Sequence, residues 1–390
     1  MNSKAFDIII AGAGMAGISL CYRALNSGIW RGKKIAIIDP NFNAKDDKTW
    51  CFWENNEGPF ENIIYKKWKE LQFFTHSGKN LTLDNGDYQY KMLRSIDFKN
   101  HCIDFLKQQT NVHFIEDTII EHDGSNNKAV FRSSTTEYQS LIGFNSIFEK
   151  PDIKAKQNYY LQHFKGWFIE SAAPVFDKKS IHLMDFRPSQ KHGCTFMYVL
   201  PLSEKKALVE YTLFTKNVLR DGEYNSALED FITQQLGIKE YRINHTEKGV
   251  IPMTDAVFNR FEGNIINIGS AGGDTRASTG YTFKNTQNTI STVIEHYKRS
   301  KLDILPTIKF NTKHHLLDST ILKVFEDGNY PPHEIFEDLF SKTSAKHIFK
   351  FLDGTSNLTT DVKVMKSLRA KYFTLAFVQS IKQHFTLRSR

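Results

Sequence analysis

Phe6-Asp7-Ile8-Ile9-Ile10-Ala11-Gly12-Ala13-Gly14-Met15-Ala16-Gly17, running on to Ala36-Ile37-Ile38-Asp39, is the stretch on which the fold turns. Its opening apolar run is too short for a helix and suits a buried parallel strand. After the glycines, Ile18, Leu20, Cys21, Ala24 and Leu25 keep helical spacing until Gly28 closes the pattern, and Lys34 to Ile38 reads as a second strand. Strand, GxGxxG, helix, strand and acid in that order describe a dinucleotide-binding unit. Gly12 permits the tight turn, Gly14 lets the backbone approach a pyrophosphate, and Gly17 lets helix pack on strand. The helix begins at Met15 and Ala16, where free N–H groups and a partial positive charge face the phosphates. Asp39 follows roughly twenty residues after Gly17, placed to accept hydrogen bonds from an adenosine ribose. The pattern fits FAD and NAD alike.

The rest of the chain arranges itself around this unit. Its 390 residues allow two domains or one domain with a large insertion. Short strands at Val112–Ile115 and Leu141–Phe148 return to the parallel sheet, with a turn at Asp123-Gly124-Ser125-Asn126-Asn127 between them. Leu71–Leu83 suggests one or two strands turning at Ser77-Gly78, and Asp97–Gln108 a helix. From Tyr159 to Leu213 the pattern alternates, as in an antiparallel sheet with one covered face. A further strand at Gly263–Ile268 leads through Gly269-Ser270-Ala271-Gly272-Gly273-Asp274 and Ser278-Thr279-Gly280 into a helix from Thr282 to Arg299. Beyond Asp303 the chain reads as helical. The expected class is α/β: a Rossmann-type FAD/NAD(P)-binding domain from 1–155 and 245–300, an antiparallel-sheet substrate domain at 156–244, and a helical, basic region at 301–390.

Four separated cysteines and no CxxC pair imply reduced thiols and no structural metal site, and the His314-His315 pair has only Asp318 as a close acidic neighbour. With no leader-like segment before the first strand and no long uncharged apolar window, the expectation is a cytoplasmic protein without signal peptide or membrane span. The net charge of +8 is concentrated: Ser341–Arg390 holds ten Lys or Arg against two Asp. With 13% aromatic residues and no nucleic-acid motif, that basic tail points to an anionic membrane surface rather than nucleic acid. Asp361 to Phe385 reads as one helix in which Val364, Met365, Leu368, Leu375, Val378, Ile381 and Phe385 share an apolar stripe beside Lys363, Lys366, Arg369 and Lys382. Such a helix can pack on its own domain or lie on anionic lipid at the inner membrane.

Motifs outside the nucleotide unit resemble the bacterial and plant lycopene cyclases. They are Asp47-Lys48-Thr49-Trp50-x-Phe52, Gln162-x-Phe164-x-Gly166-Trp167, Leu183-Met184-Asp185-Phe186-Arg187, Leu208-Val209-Glu210-x-Thr212, Ile251-Pro252-Met253, Ser278-Thr279-Gly280-Tyr281 and Phe351-Leu352-Asp353. The resemblance covers nearly the whole chain in consistent order. It implies a flavoprotein that closes the end rings of lycopene, or a related acyclic carotenoid, into β-ionone rings by acid–base chemistry. It further implies reduced FAD, with NADPH or NADH as reductant, although the reaction has no net redox change.

By the same resemblance Glu210 is the catalytic acid. Period two places Glu210 with Leu208, Thr212 and Phe214, a largely apolar face that would raise its carboxyl pKa. Alternation alone equally fits the wet side of an edge strand; the matched motif selects the catalytic reading. Gly280, with the helix after it, is expected to hold the flavin, together with Thr279, and Asp274 resembles the acid near the ribityl chain in related flavoproteins. The segment departs from the commoner cyclase wording between Gly269 and Arg276. Trp50, Phe52, Trp167, Arg187 and Phe214 are the candidate walls of a polyene channel, and the Asp185-Phe186-Arg187 run fits equally a role in orienting the site or an internal ion pair. Two other readings remain: a redox monooxygenase or reductase acting on an isoprenoid lipid, disfavoured by Gly143-Phe144-Asn145-Ser146 in place of an Asp-Gly signature, and a lipid-binding protein without enzymatic activity.

Overall fold

Ile8–Ala11 is fully buried, as a strand covered on both faces must be, and it lies between Ile35–Asp39 and Ile142–Asn145 in a parallel sheet. The computed structural model describes residues 2–43, 48–125, 127–151, 153 and 157–388, with side chains described as far as 382. Asp47, Asn126, the 154–156 stretch around the expected domain boundary and the Phe385 side chain therefore lie outside the described residues. Val112–Glu116 extends the sheet on one side and Ile265–Asn267 on the other, all parallel, with Phe261–Glu262 as an antiparallel edge. The helices Met15–Asn26, Ser95–Lys107 and Phe283–Tyr297 belong to this unit, and Ile18, Phe98 and Ile290 sit in one apolar core with Ile10.

The second layer is a seven-stranded sheet in the order Tyr241–Thr254, Tyr159–Ser171, Lys206–Thr215, Cys194–Pro201, Ser180–Asp185, Glu70–Phe74, Asn80–Thr82. It takes strands from both sides of the 156–244 segment, so the substrate sheet is woven from three stretches of chain. Alternation along Lys206–Thr215 divides two cores: Leu208 and Phe214 face one, Val209, Tyr211 and Leu213 the other, where Asp221–Asp230 packs. A small sheet of Thr49–Glu54, Gln89–Arg94 and Lys66–Trp68 is the third piece that reaches the site.

The C-terminal helices cover the Leu208/Phe214 face. In place of one helix over 361–385, the chain forms Leu358–Lys366 and Ala370–Arg388. The break falls where Ser367 and Leu368 donate backbone N–H groups to Val364 and Met365, three residues back, tightening the last turn, while the Ser367 hydroxyl also donates to Val364. Ala376 is fully buried in the shared core, so the last helix packs on its own domain along one face.

Candidate active site

The glycine turn has the geometry its spacing requires. Gly12 sits at φ +93°, and a Cβ there would stand 2.4 Å from Ser146 Oγ. At Gly17 a Cβ would come within 2.1 Å of the Gly12 carbonyl oxygen, whereas beside Gly14 nothing lies within 4 Å. The turn is thus packed on the protein side and open at Gly14, above a helix beginning at Met15 with no acidic residue in its first turn. Asp39 closes the turn: its carboxylate accepts the Ala13 N–H at 2.7 Å and the Asn41 N–H at 2.9 Å.

On the opposite flank, Gly280 sits at φ +70°, where a Cβ would be 2.1 Å from Gln162 Oε1. Among the described residues, buried Gln162 Oε1 and Ser278 Oγ have no hydrogen-bond partner. The Phe283–Tyr297 helix that follows has no acid in its first turn and no side-chain cap. An open glycine cradle at one helix N-terminus, and unpartnered polar atoms beside a second, fit a dinucleotide cofactor. Asp274 is different. Its oxygens accept from Arg260 at 2.7 Å, from Thr289 at 2.7 Å and from the Gly269 N–H at 2.8 Å, so the carboxylate is saturated by the loop it holds.

The acid lies in the seven-stranded sheet. Gly166, in the strand Tyr159–Ser171, pairs with Glu210 on one side and Glu247 on the other. A Cβ at Gly166 would meet Leu208 Cδ1 at 2.8 Å and Glu247 Cγ at 3.2 Å, so glycine alone leaves room for two glutamates to close over the strand. The two side chains converge over Gly166, where that Cβ would also lie 3.5 Å from Glu210 Cβ. Thr212 Oγ1 donates to Glu210 at 2.8 Å, and Thr49 donates to Glu247 through its N–H at 3.1 Å and its hydroxyl at 2.8 Å. Burial pushes the Glu210 carboxyl up to about 7, with the Thr212 hydroxyl bond acting the other way. Burial pushes Glu247 up as well, so the two carboxyls together hold a proton.

Next to Glu210 stand three aromatic hydroxyls. Tyr198 pairs with it from the Cys194–Pro201 strand, Tyr281 lines the same cavity as Tyr198, and Tyr90 meets Tyr281 at 3.0 Å between hydroxyls. Burial pushes all three phenols up, Tyr281 to about 12, so they stay neutral. The shared cavity of Tyr198 and Tyr281 is about 590 Å³, and its wall is mostly apolar and runs from Trp53, Phe196 and Phe214 to Met365 and Phe377 on the last two helices. This depth of apolar wall suits a long hydrocarbon.

Of the five candidate channel residues, Phe214 lines the cavity and four do not. In Thr49–Glu54 the site-facing residues are Thr49 and Trp53, while Trp50 and Phe52 point the other way and pack on Phe283 in the nucleotide-domain core. Trp167 lies one residue past Gly166 and therefore faces the Val209 core. Arg187 is held by Asp185 at 2.5 Å and covers the Phe74 ring at 4.4 Å, an internal ion pair. Sequence reading missed Glu247, Tyr198 and Trp53. A glycine inside a long strand was the available signal for a close approach, but identifying Glu247 needed the register that pairs it with Gly166, far away in the sequence.

The tail motif docks on the same wall. Asp353 accepts from Trp53 Nε1 at 2.9 Å and from Lys284 Nζ at 2.7 Å, fastening the C-terminal helices to the Phe283–Tyr297 helix. Asp353→Ala leaves a mostly buried Lys284 without its anion and should cost about 3 kcal/mol, read as earlier thermal unfolding. An unchanged unfolding temperature would rule this clamp out.

The parallel sheet, glycine cradle and antiparallel second sheet define a Rossmann-type flavoprotein fold. Solved structures of similar shape include a geranylgeranyl bacteriochlorophyll reductase-like protein from Thermoplasma acidophilum, at TM-score 0.59 and 12% identity over 97% of this chain and all of that one. Another is HpxO of Klebsiella pneumoniae, solved with FAD and uric acid, at TM-score 0.56 and 10% identity over 96% of each chain. Residues 7–381 match the family model described as lycopene cyclase protein, and the chain belongs to that family. Curated relatives include neoxanthin synthase of Solanum lycopersicum, 27% identical over 72% of this chain and 58% of that one. Lycopene beta cyclase of Nicotiana tabacum is 22% identical over 77% of this chain and 62% of that one. The chain thus spans about three fifths of the length of the curated relatives it matches.

Proposed function

We propose that the protein closes the end groups of lycopene, or a related acyclic carotenoid, into β-ionone rings by proton transfer without net oxidation or reduction. The observation that carries this reading is a protonatable carboxyl pair, Glu247 buried and Glu210 half-buried, beside the aromatic hydroxyls of an apolar cavity. A hydrocarbon offers nothing to hydrogen-bond, so it is held by shape and dispersion in such a wall. Glu210 donates its proton to a terminal double bond; an O–H bond breaks and a C–H bond forms. The resulting cation is closed by the next double bond, forming a ring C–C bond and moving the charge into the ring. Loss of a ring proton to a carboxylate leaves the new double bond and restores the acid.

Tyr198, Tyr281, Trp53 and Phe214 contribute π faces that stabilise the cation in a site with little water. Gly12, Gly14, Met15, Ala16, Gly17 and Asp39 would hold the nucleotide of FAD, with Thr279, Gly280, Gln162 and Ser278 near its ring system. Asp274 would act through the loop it braces. Reduced FAD, when bound, supplies negative charge for the cation and no net electrons. NADPH or NADH is the expected source of reduction. The test is an anaerobic incubation with lycopene in anionic liposomes under reduced and oxidised flavin. A β-ringed product with reduced flavin only is expected; unchanged lycopene in both would overturn the reading.

The cavity wall also meets solvent. Leu358 is 76% exposed, Met365 44% and Phe377 38%, on helices that carry Lys363, Lys366 and Lys371. No helix among the described residues is long and apolar enough to cross a membrane. The proposal is that this face rests on anionic lipid, where the substrate resides. Replacing the three lysines by glutamine should weaken liposome binding tenfold or more at low salt, at about 1 kcal/mol for each charge. Binding that is unchanged and insensitive to salt would contradict lipid contact.

A further inference from the structure

We propose that Glu247 is the positioning residue of the acid: it shares one proton with Glu210 across Gly166, and Thr49 biases that proton onto Glu210. The proton-transfer role rests on the cyclisation reading; the shared proton itself does not. The geometry is specific. Two strands place a carboxyl opposite the same residue of the strand between them, and that residue is the one type whose missing side chain lets them touch. Two adjacent carboxylates cannot both ionise at modest cost, so the pair keeps a proton where a lone exposed glutamate would lose it.

The position of the proton follows from the donors. Glu247 is the more buried of the two, which favours its neutral form, but it receives both the N–H and the hydroxyl of Thr49, whereas Glu210 receives the Thr212 hydroxyl alone. More donors favour the anion, so charge settles on Glu247 and the proton on Glu210. The other titratable groups facing the pair are Cys51, Tyr198 and Tyr281, with Tyr90 behind them; burial pushes each of these up and keeps it neutral. Once Glu210 has given up its proton, two negative charges stand together beside a carbocation. That repulsion makes the pair a strong base, suited to take the ring proton back. Acid and base are then one pair, and the cycle needs no separate base.

Infrared difference spectra of the flavin-loaded protein test the shared proton without turnover. Wild type should keep the carbonyl band of a protonated carboxyl at about pH 6.5, well above the ordinary glutamate range, and both Glu247→Gln and Glu210→Gln should lose it. Thr49→Val, which removes one donor from the anion and little volume, should retain the band to higher pH. It also serves if Glu247→Gln fails to fold. In turnover, the alkaline limb of activity should fall by at least one pH unit in Glu247→Gln and rise in Thr49→Val. A band lost from wild type within the ordinary glutamate range, or alkaline limbs that coincide in all three proteins, would overturn the proposal. A chain that shows the band but converts no lycopene would keep the pair and sink the cyclase reading instead.

Discussion

Glu210→Gln is expected to lower ring closure about a thousandfold or more while leaving flavin and polyene binding intact. The amide keeps the volume and still accepts the Thr212 hydroxyl bond, which is 2.8 Å in the native chain, but has no proton acidic enough to give an alkene. Because the loss is confined to chemistry, it should appear in kcat with little change in KM. A pH signature accompanies it. Burial raises the Glu210 carboxyl from 4.5 to about 7, so the folded chain holds a proton that the unfolded chain has released across that window. Stability is therefore present at low pH and declines as pH rises through it, and Glu210→Gln should flatten the decline. Thermal unfolding at several pH values reads this directly. A variant that keeps more than a tenth of the wild-type rate would remove Glu210 from the acid role.

Gly166→Val should rank second in effect. Its Cβ would meet Leu208 Cδ1 at 2.8 Å and crowd Glu247 Cγ at 3.2 Å, and a branched side chain extends further into the space over which the carboxyls meet. Overpacking alone costs about 1–3 kcal/mol, tolerable for a chain with a large core. The heavier consequence is separation of Glu210 from Glu247: each then titrates alone, and cyclisation near neutral pH should drop at least a hundredfold. Circular dichroism and flavin content should stay near wild type, since Gly166 lies outside the glycine cradle. Full activity in Gly166→Val would show that contact between the carboxyls is unnecessary.

The nucleotide unit was legible because its information is local. Gly12 and Gly17 each answer a contact made within a few residues or by the neighbouring strand, Gly14 leaves the turn open, and Asp39 bonds back to Ala13 from the end of the adjacent strand. The face of Glu210 was legible too, because period two needs only one strand. Channel residues were misplaced by parity. Aromatics crowd Thr49–Glu54, and choosing Trp50 and Phe52 over Trp53 is a one-residue error that turns a side chain to the opposite core. Trp167 repeats the error beside Gly166. Arg187 was lost to a partner two residues away, a contact that spacing permits but does not impose. The division of the C-terminal helix at Ser367 has no proline or glycine to announce it. Glu247 was hidden for another reason: its meaning lies in a pairing register across three strands.

The measurement that bears most directly on the central claim is cyclisation in D₂O with a limiting, measured amount of reductant. Proton transfer from Glu210 predicts one deuterium in the product for each ring closed, and many turnovers per reducing equivalent. A product gaining two hydrogens or an oxygen, with reductant consumed in step, would contradict acid–base cyclisation and assign the cavity to redox chemistry.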